Sequence, residues 1–552
     1  MDRQTSISTI RTLSYFLSNF TTGKPIPRDR NKNGHLSFLN HISTMLNTGT
    51  PPSLVLAVTG QISPTNFEAA VVVSSNSNED DKFQSSYDIT KVEPSNMSDE
   101  SIRNPSSLGK SNGPPFQQHL CDVAGILRLL SQSPDPAELS NRLLFWLIVQ
   151  CRKRIATRFR LGTKVWTSAP WKVMEDWSPN ANDALASPDI DISEPFRKGL
   201  SECGFPANGD GVHHWIHCLG KLLSAAHQLR NKNDKASLVK LRSCLTCADT
   251  ILESSEVKRI FRESSLSEGF KSKPNTQQDV SKADDAEVDD EEAAAESDEE
   301  FDMTFEEDEE PGSRALRYIL TLVAWHSATR AAIQVADLAI KLRKLPEISL
   351  VRLADYSSDA IDDVKTNSRG IVDSLKAQIT DKYVNEEARL SISQWIEEQC
   401  IIPNSIRPFR VHAEAGLMAL LMKAQERSID FGDDPYGSTI KFFEEVRECT
   451  IGASKKCCYM CHLLGEYMFN ESSENLTLTI HLPGTHGHVF PWDPPSFGIP
   501  DMILEKLAQK LRQDIIRLAV NNASTITNRS GQLSPTSDSG DRRRVSFTYT
   551  WD

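Results

Sequence analysis

The stretch IGASKKCCYMCHLL, Ile451 to Leu464, places Cys457, Cys458 and Cys461 within five positions. The whole chain has eleven cysteines in 552 residues, so this is a local concentration of thiols. Clustered cysteines in a cysteine-poor chain point to metal rather than to disulfides. Zinc takes soft or borderline ligands at short spacing, and Cys458 and Cys461 form C-x-x-C. The following HLLGEYMF has helical spacing, which puts the thiols at a helix N-terminus. There the unpaired N–H groups and the positive dipole end favour thiolate, the form that binds metal. Cys457 competes with Cys458 on position alone, but only Cys458 gives the two-residue gap to Cys461.

A catalytic zinc needs a third ligand. Upstream lies RPFRVHAEAGLMALLMKAQE, Arg407 to Glu426. Pro408 disfavours helix just before it, and an apolar helix begins near His412. His412 and Glu414 then share its first turn. A His at this place supplies the third ligand, and a carboxylate two positions later reaches a metal-activated water without binding the ion. One His and two Cys leave the fourth position open, the arrangement of a catalytic rather than a structural zinc.

H-x-E followed by P-C-x-x-C is the signature of zinc deaminases. Here Ser454 to Cys461 matches S-x-x-P-C-x-x-C with Cys457 where proline usually stands. LTLTIHLPGTHGHVFPWDPP, Leu476 to Pro495, adds an alternating strand and a GTHG-x-x-(F/Y)-P-W motif. Together these residues, about 408–495, resemble the fungal branch of the toxin-related deaminases, within the cytidine-deaminase-like superfamily. That resemblance implies hydrolysis of a cyclic amidine C–N bond, at C4 of a cytosine or C6 of an adenine. It implies Zn²⁺ on His412, Cys458 and Cys461, with Glu414 moving the protons. The substrate implied is a base in single-stranded DNA or RNA, with a free nucleoside as the alternative. Ser454, Cys457, His486 and His488 are the candidate substrate-contacting residues. For His486 and His488 the plainer reading is a polar turn after a strand, and for His462 a helix surface.

The implied fold is a three-layer α/β/α unit in the order helix, hairpin, HxE helix, strand, CxxC helix, strand, helix. Residues 401–522 hold too few strands for it. HLSFLNHISTMLNTG (His35–Gly49) has helical spacing and ends in Gly, and SLVLAVTG and FEAAVVVSS are β-branched runs around a turn. The core is therefore expected to be split. Residues 34–78 supply its first helix and hairpin, and 401–522 the zinc-binding part. A hairpin this apolar is unstable alone and needs partner strands.

Between the two parts lies a large, mostly helical insertion. It comprises a linker at 79–115, helices at 116–271, an acidic tract at 272–313, and further helices at 314–400. Residues 1–33 and 523–552 are expected to be loosely ordered. Asp284 to Glu310 carries seventeen Asp and Glu and no Lys or Arg. The net charge of −14 therefore belongs to this tract, and the rest of the chain is slightly basic. The tract lacks core-forming residues and is expected to be disordered. Its roles are either a solubilising insert or a nucleic-acid mimic covering a basic surface of the same chain.

ELSNRLLFWLIVQCRKRIATRFR reads as one helix whose basic end, Arg152, Lys153, Arg154, Arg158 and Arg160, is solvated or faces nucleic acid. His213 and His217, with Cys244 and Cys247, offer a second C-x-x-C, but LRSCLTCADTIL is an ordinary amphipathic helix in which buried cysteines are common. No secretory h-region is visible at the start and no apolar run is long enough to span a bilayer. The expectation is an intracellular protein, cytoplasmic or nuclear, with no membrane partner. A reading of another class remains: a zinc-stapled, inactive scaffold whose insertion does the work.

Overall fold

The apolar runs of the hairpin become β1 (Leu56–Ile62) and β2 (Phe67–Ser74) in the computed structural model, paired antiparallel with Ala57 opposite Val72 and Val58 opposite Val71. The structure describes residues 2–20, 38–49, 56–62, 67–74, 87–109, 114–181, 183, 190, 192–206, 211–271, 309–342, 347–353, 357–382, 386–403, 406, 408–425, 448–453, 456–470, 479–482 and 484–530. Most of the acidic tract and the tail beyond Ser530 lie outside them.

The hairpin does pair with the C-terminal part of the chain. The outer edge of β1 carries β6 (Gly452–Ala453), with Ala57 opposite Ala453 and Val58 opposite Gly452. β5 (Glu448–Thr450), one residue earlier, pairs in parallel with β7 (Thr479–His481). Thr59 Oγ1 donates to the Thr450 carbonyl at 3.0 Å, which ties β1 to β5 as well.

Two strands stand where helix and linker were expected. β4 (Glu347–Leu353) pairs in parallel with β2, and β3 (Tyr87–Lys91) pairs antiparallel with β4. The larger sheet thus runs β3-β4-β2-β1-β6. EISLVRL is a short apolar run lying between long helical segments, where periodicity alone does not separate strand from helix.

Alternation along the strands separates two cores. Leu56, Val58, Ala69, Val71, Val73, Ile348 and Leu350 pack with the helical region. Ala57, Ala70, Val72, Ile89, Val351 and Leu353 pack with the cysteine segment. The Phe38–Leu46 helix lies against β1 and β6 in the first core, and the Ala413–Gln425 helix against β1 and β2 in the second. The helical region is seated on the Phe38–Leu46 helix through Ala324–Leu342 and Phe116–Gln132.

The N-terminus corrects the expectation of a loose segment. Arg3–Leu17 is a helix, buried from Ser6 to Leu17 and capped by Asp2, whose carboxylate accepts from Thr5 N–H at 3.0 Å. It packs on the Asp501–Ser530 and Ser357–Lys382 helices. Ser357–Lys382 and Glu386–Gln399, expected to belong to the insertion, share the core of the cysteine segment. The Asp501–Ser530 helix also runs past residue 522, where the tail was expected to begin.

The basic segment is corrected too. The predicted single helix breaks at Cys151 into Ser140–Gln150 and Arg152–Val165, and Arg152, Arg154 and Arg158 are buried rather than solvated. Arg158 donates to the Thr321 carbonyl at 2.6 Å and lies 4.5 Å from the Trp325 ring centroid, so it serves packing rather than a nucleic-acid face. Among the described residues no helix is long and apolar enough to cross a membrane.

Gly498 fixes the turn that seats the C-terminal part on the Ala413–Gln425 helix. Its φ is +65°, and a Cβ there would stand 1.9 Å from the Ala419 carbonyl oxygen. Gly498→Ala adds overpacking to a left-handed backbone and is expected to cost about 1–3 kcal/mol. A urea titration checks this through a lowered midpoint at unchanged slope.

Candidate active site

Three elements bring the cysteines and His412 together. The chain enters beside Arg410, which bridges to Trp492, and His412 directly precedes the Ala413–Gln425 helix, its carbonyl accepting from Gly416 N–H at 2.9 Å. Glu414 follows in the first turn and is buried, 3% exposed. Cys458 caps the Tyr459–Gly465 helix, its sulfur accepting the Cys461 N–H at 3.4 Å. This is the local logic read from the sequence: a thiol at a helix start, where N–H groups lack intrahelical partners.

The His412 Nδ1 lies 3.2 Å from Cys458 Sγ and 3.6 Å from Cys461 Sγ. Among the described residues this is the one His/Cys/Asp/Glu group with all ligand atoms within 4.8 Å of one another. Tetrahedral ligands about 2.0–2.3 Å from a zinc ion stand about 3.5 Å apart, so both spacing and donor set fit. Burial works to raise the Cys458 thiol, but its contacts with Cys461 and His412 hold it well below the usual range. Burial, the neighbouring Cys458 sulfur and the Glu414 charge push Cys461 well above it. The pair thus favours a single thiolate, and a bound dication would stabilise the second.

The turn after β7 closes over this cluster. Gly484 and Gly487 take φ of 84° and 77°, left-handed positions that suit glycine. Cys457 faces this turn: its Sγ–H donates to the Gly484 carbonyl at 2.9 Å, and its backbone bridges to Thr485. His486 Nδ1 accepts the His488 N–H at 3.2 Å, so its proton resides on Nε2 in the neutral ring. The His486 ring meets Phe490 edge-on at 5.4 Å, and Phe490 stands 6.2 Å from the His412 ring. Phe490 is a neighbour of the site that sequence reasoning missed; its place directly before Pro491 and Trp492 in the GTHG motif was the available signal. Ser454 lies outside the described residues.

Residues 411–496 match the family model described as OTT_1508_deam-like deaminase. These residues form a deaminase domain. Its family is a toxin-related one within the cytidine-deaminase-like superfamily. No curated protein and no solved structure matches the chain. The deaminase domain contains His412, Glu414, Cys458, Cys461, His486 and His488, and reaches just past Asp493.

The other candidates fall elsewhere. His462 Nε2 lies 3.3 Å from Glu466 on its own helical stretch. His213 and His217 place ring nitrogens 2.9 Å and 2.8 Å from the Trp177 and Glu175 carbonyls. Cys244 is buried 3.6 Å from Cys203, away from either histidine's bonds.

Burial pushes His488 down from 6.5 to about 4. The unfolded chain therefore binds a proton near pH 6.5 that the folded chain refuses until about pH 4. Stability from neutral His488 is complete above pH 6.5 and falls as the pH drops toward 4. His488→Gln is expected to flatten that part of the melting-temperature profile, measured from pH 4 to 7.

Proposed function

We propose that this chain is a zinc-dependent hydrolytic deaminase acting on cytosine or adenine, with single-stranded nucleic acid as the substrate. The observation that carries this reading is the His412, Cys458 and Cys461 cluster with buried Glu414 two positions from His412. Three protein ligands, rather than four, are the mark of a catalytic zinc. When bound, the ion supplies Lewis acidity that brings the pKa of a water near neutrality.

In this reading Glu414 would accept the two protons of that water in turn, passing one to the ring nitrogen and the other to the departing amine. A C–O bond forms, the C–N bond breaks and ammonia leaves. The flat faces of Phe490 and His486 suit a planar base. Cys457 and His488, which flank the same turn, are further candidate contacts to the base in this reading. A base can enter such a site only out of its stack, which makes single strands the easier substrate. A free nucleoside is the alternative.

The fold fits this function as a three-layer α/β/α core interrupted by the helical region. Pairing of β1 with β6 and the division of strand residues between two cores support it.

The test is deamination of cytosine- and adenine-containing single-stranded DNA, RNA and free nucleosides, read by sequencing and ammonia release. The zinc-loaded protein should act on at least one polynucleotide. Chelation should abolish the reaction and lower the melting temperature, and Zn²⁺ should restore both. Activity that survives full removal of the metal would overturn the mechanism. Stoichiometric zinc with no product on any substrate would favour the scaffold reading.

A further inference from the structure

The helix that presents the two cysteines is short, seven residues from Tyr459 to Gly465, and is followed by a π-helical turn at Glu466–Asn470. So short a helix does not hold its shape alone and depends on tertiary anchors. One anchor lies far along the chain. Tyr459 Oη donates to Asp514 Oδ2 at 2.9 Å. Asp514 is 1% exposed and sits on the Asp501–Ser530 helix. Its other oxygen accepts Lys510 Nζ at 2.9 Å and lies 3.1 Å from the Arg517 guanidinium.

Both ends of Tyr459 are used. Its backbone N–H donates to the His488 carbonyl at 2.8 Å. The residue between Cys458 and Met460 thus ties the cysteine turn to the GTHG turn on one side and to the C-terminal helix on the other. A buried phenol is tolerated only when its O–H has an acceptor, and a buried carboxylate only when its charge is matched. Lys510 and Arg517 meet the second condition, so that Asp514 offers the first. Both oxygens of Asp514 are thus partnered, its charge is matched by two cations, and the chain of bonds ends one residue from Cys458.

We propose that Asp514 is a positioning residue for the metal centre: through Tyr459 it fixes the turn carrying Cys458 and Cys461 and so raises the affinity of the site for zinc. This rests on the zinc reading of the cluster made above. The C-terminal helix lies outside residues 411–496, so the deaminase domain draws part of its metal affinity from a segment beyond the family match.

The experiment measures zinc affinity of the full chain by competition with a chromophoric chelator, using Zn²⁺ alone as the probe. Tyr459→Phe removes only the hydroxyl, and Asp514→Asn keeps the shape without the charge. Each is expected to weaken zinc binding about tenfold or more, the scale of losing an outer partner of a metal ligand. The double variant should be no weaker than the worse single one, since both act through one bond. Gly312→Ala is the control. Its added Cβ would stand 1.6 Å from the Phe261 carbonyl in the helical region, so it strains the protein away from the metal. Its zinc affinity should stay at the wild-type value.

Tyr459→Phe with wild-type zinc affinity, whatever its melting temperature, overturns the proposal. That variant deletes one oxygen and keeps the ring, so it decides the matter even if Asp514→Asn does not fold. Wild-type protein that takes up no zinc would overturn the zinc reading itself. Wild type that binds one zinc while both variants bind it equally well would overturn only the role of Asp514.

Discussion

Glu414→Gln is expected to remove deamination almost completely while leaving the metal in place. Glutamine keeps the size and shape of the side chain but cannot accept and pass on a proton. A positioned acid–base group contributes about 10²–10⁴-fold to a rate, and in the proposed mechanism one carboxylate handles every proton of the reaction. The loss in kcat should therefore reach the upper part of that range. Glu414 is not among the residues whose ligand atoms cluster, so zinc content should remain one per chain. The measurement is single-turnover deamination on the best substrate, with metal analysis of the same sample. A variant with near-normal kcat would remove Glu414 from the mechanism, and loss of zinc would make it a ligand or a support of one.

Arg11→Met should have the largest effect on stability. Arg11 Nε donates to Asp493 Oδ1 at 2.8 Å and its NH1 to Asp363 Oδ2 at 3.0 Å. Asp493 is fully buried. Burial pushes its carboxyl up, Arg11 pulls it back, and Asp363 and Asp359 push it further up, leaving it above the usual carboxylate value. Methionine retains much of the packing but leaves two acids facing each other without their cation. Breaking one partner out of a buried pair costs about 3–5 kcal/mol.

The sign of the pH dependence follows. A carboxyl whose folded pKa is raised favours the folded state when protonated, and its penalty grows as the pH rises through that pKa. Losing Arg11 raises Asp493 further, so Arg11→Met should be more damaging at pH 7 than at pH 5. Arg11→Met combined with Asp493→Asn should recover part of the loss at pH 7. Denaturant midpoints at both pH values check this. Equal damage at both would mean that packing, not charge, dominates.

The same helix shows why the N-terminal segment carries so weak a local signal. RQTSISTIRTLSYFL mixes Ser and Thr among its apolar positions, and these favour caps and turns in isolation. In the structure most of them are buried, and two bond back into the helix, Thr12 Oγ1 donating to the Ser8 carbonyl at 3.0 Å and Ser14 Oγ to the Arg11 carbonyl at 2.9 Å. Trp492 N–H donates to Ser14 Oγ at 3.1 Å. The helix therefore holds the residues that follow the GTHG turn. Nothing local in either segment announces the other.

The residues of the candidate metal cluster were legible in the sequence alone. His412, Glu414, Cys458 and Cys461 sit at helix starts, so their spacing is a local property and survives in one dimension. The hairpin's β-branched runs were local too, and their apolar excess demanded a partner sheet. Tertiary structure alone decided which strands answered. β4 enters beside β2 from the far end of the helical region, and the parallel pairing carries no sequence code of its own. It also decided that Arg152, Arg154 and Arg158 are interior residues, since a cation's burial depends on what packs over it. Arg11 with Asp493 and Tyr459 with Asp514 belong to the same class. Their partners are distant in sequence, and such bonds are set by the packing of whole elements, which no periodicity within a single segment records.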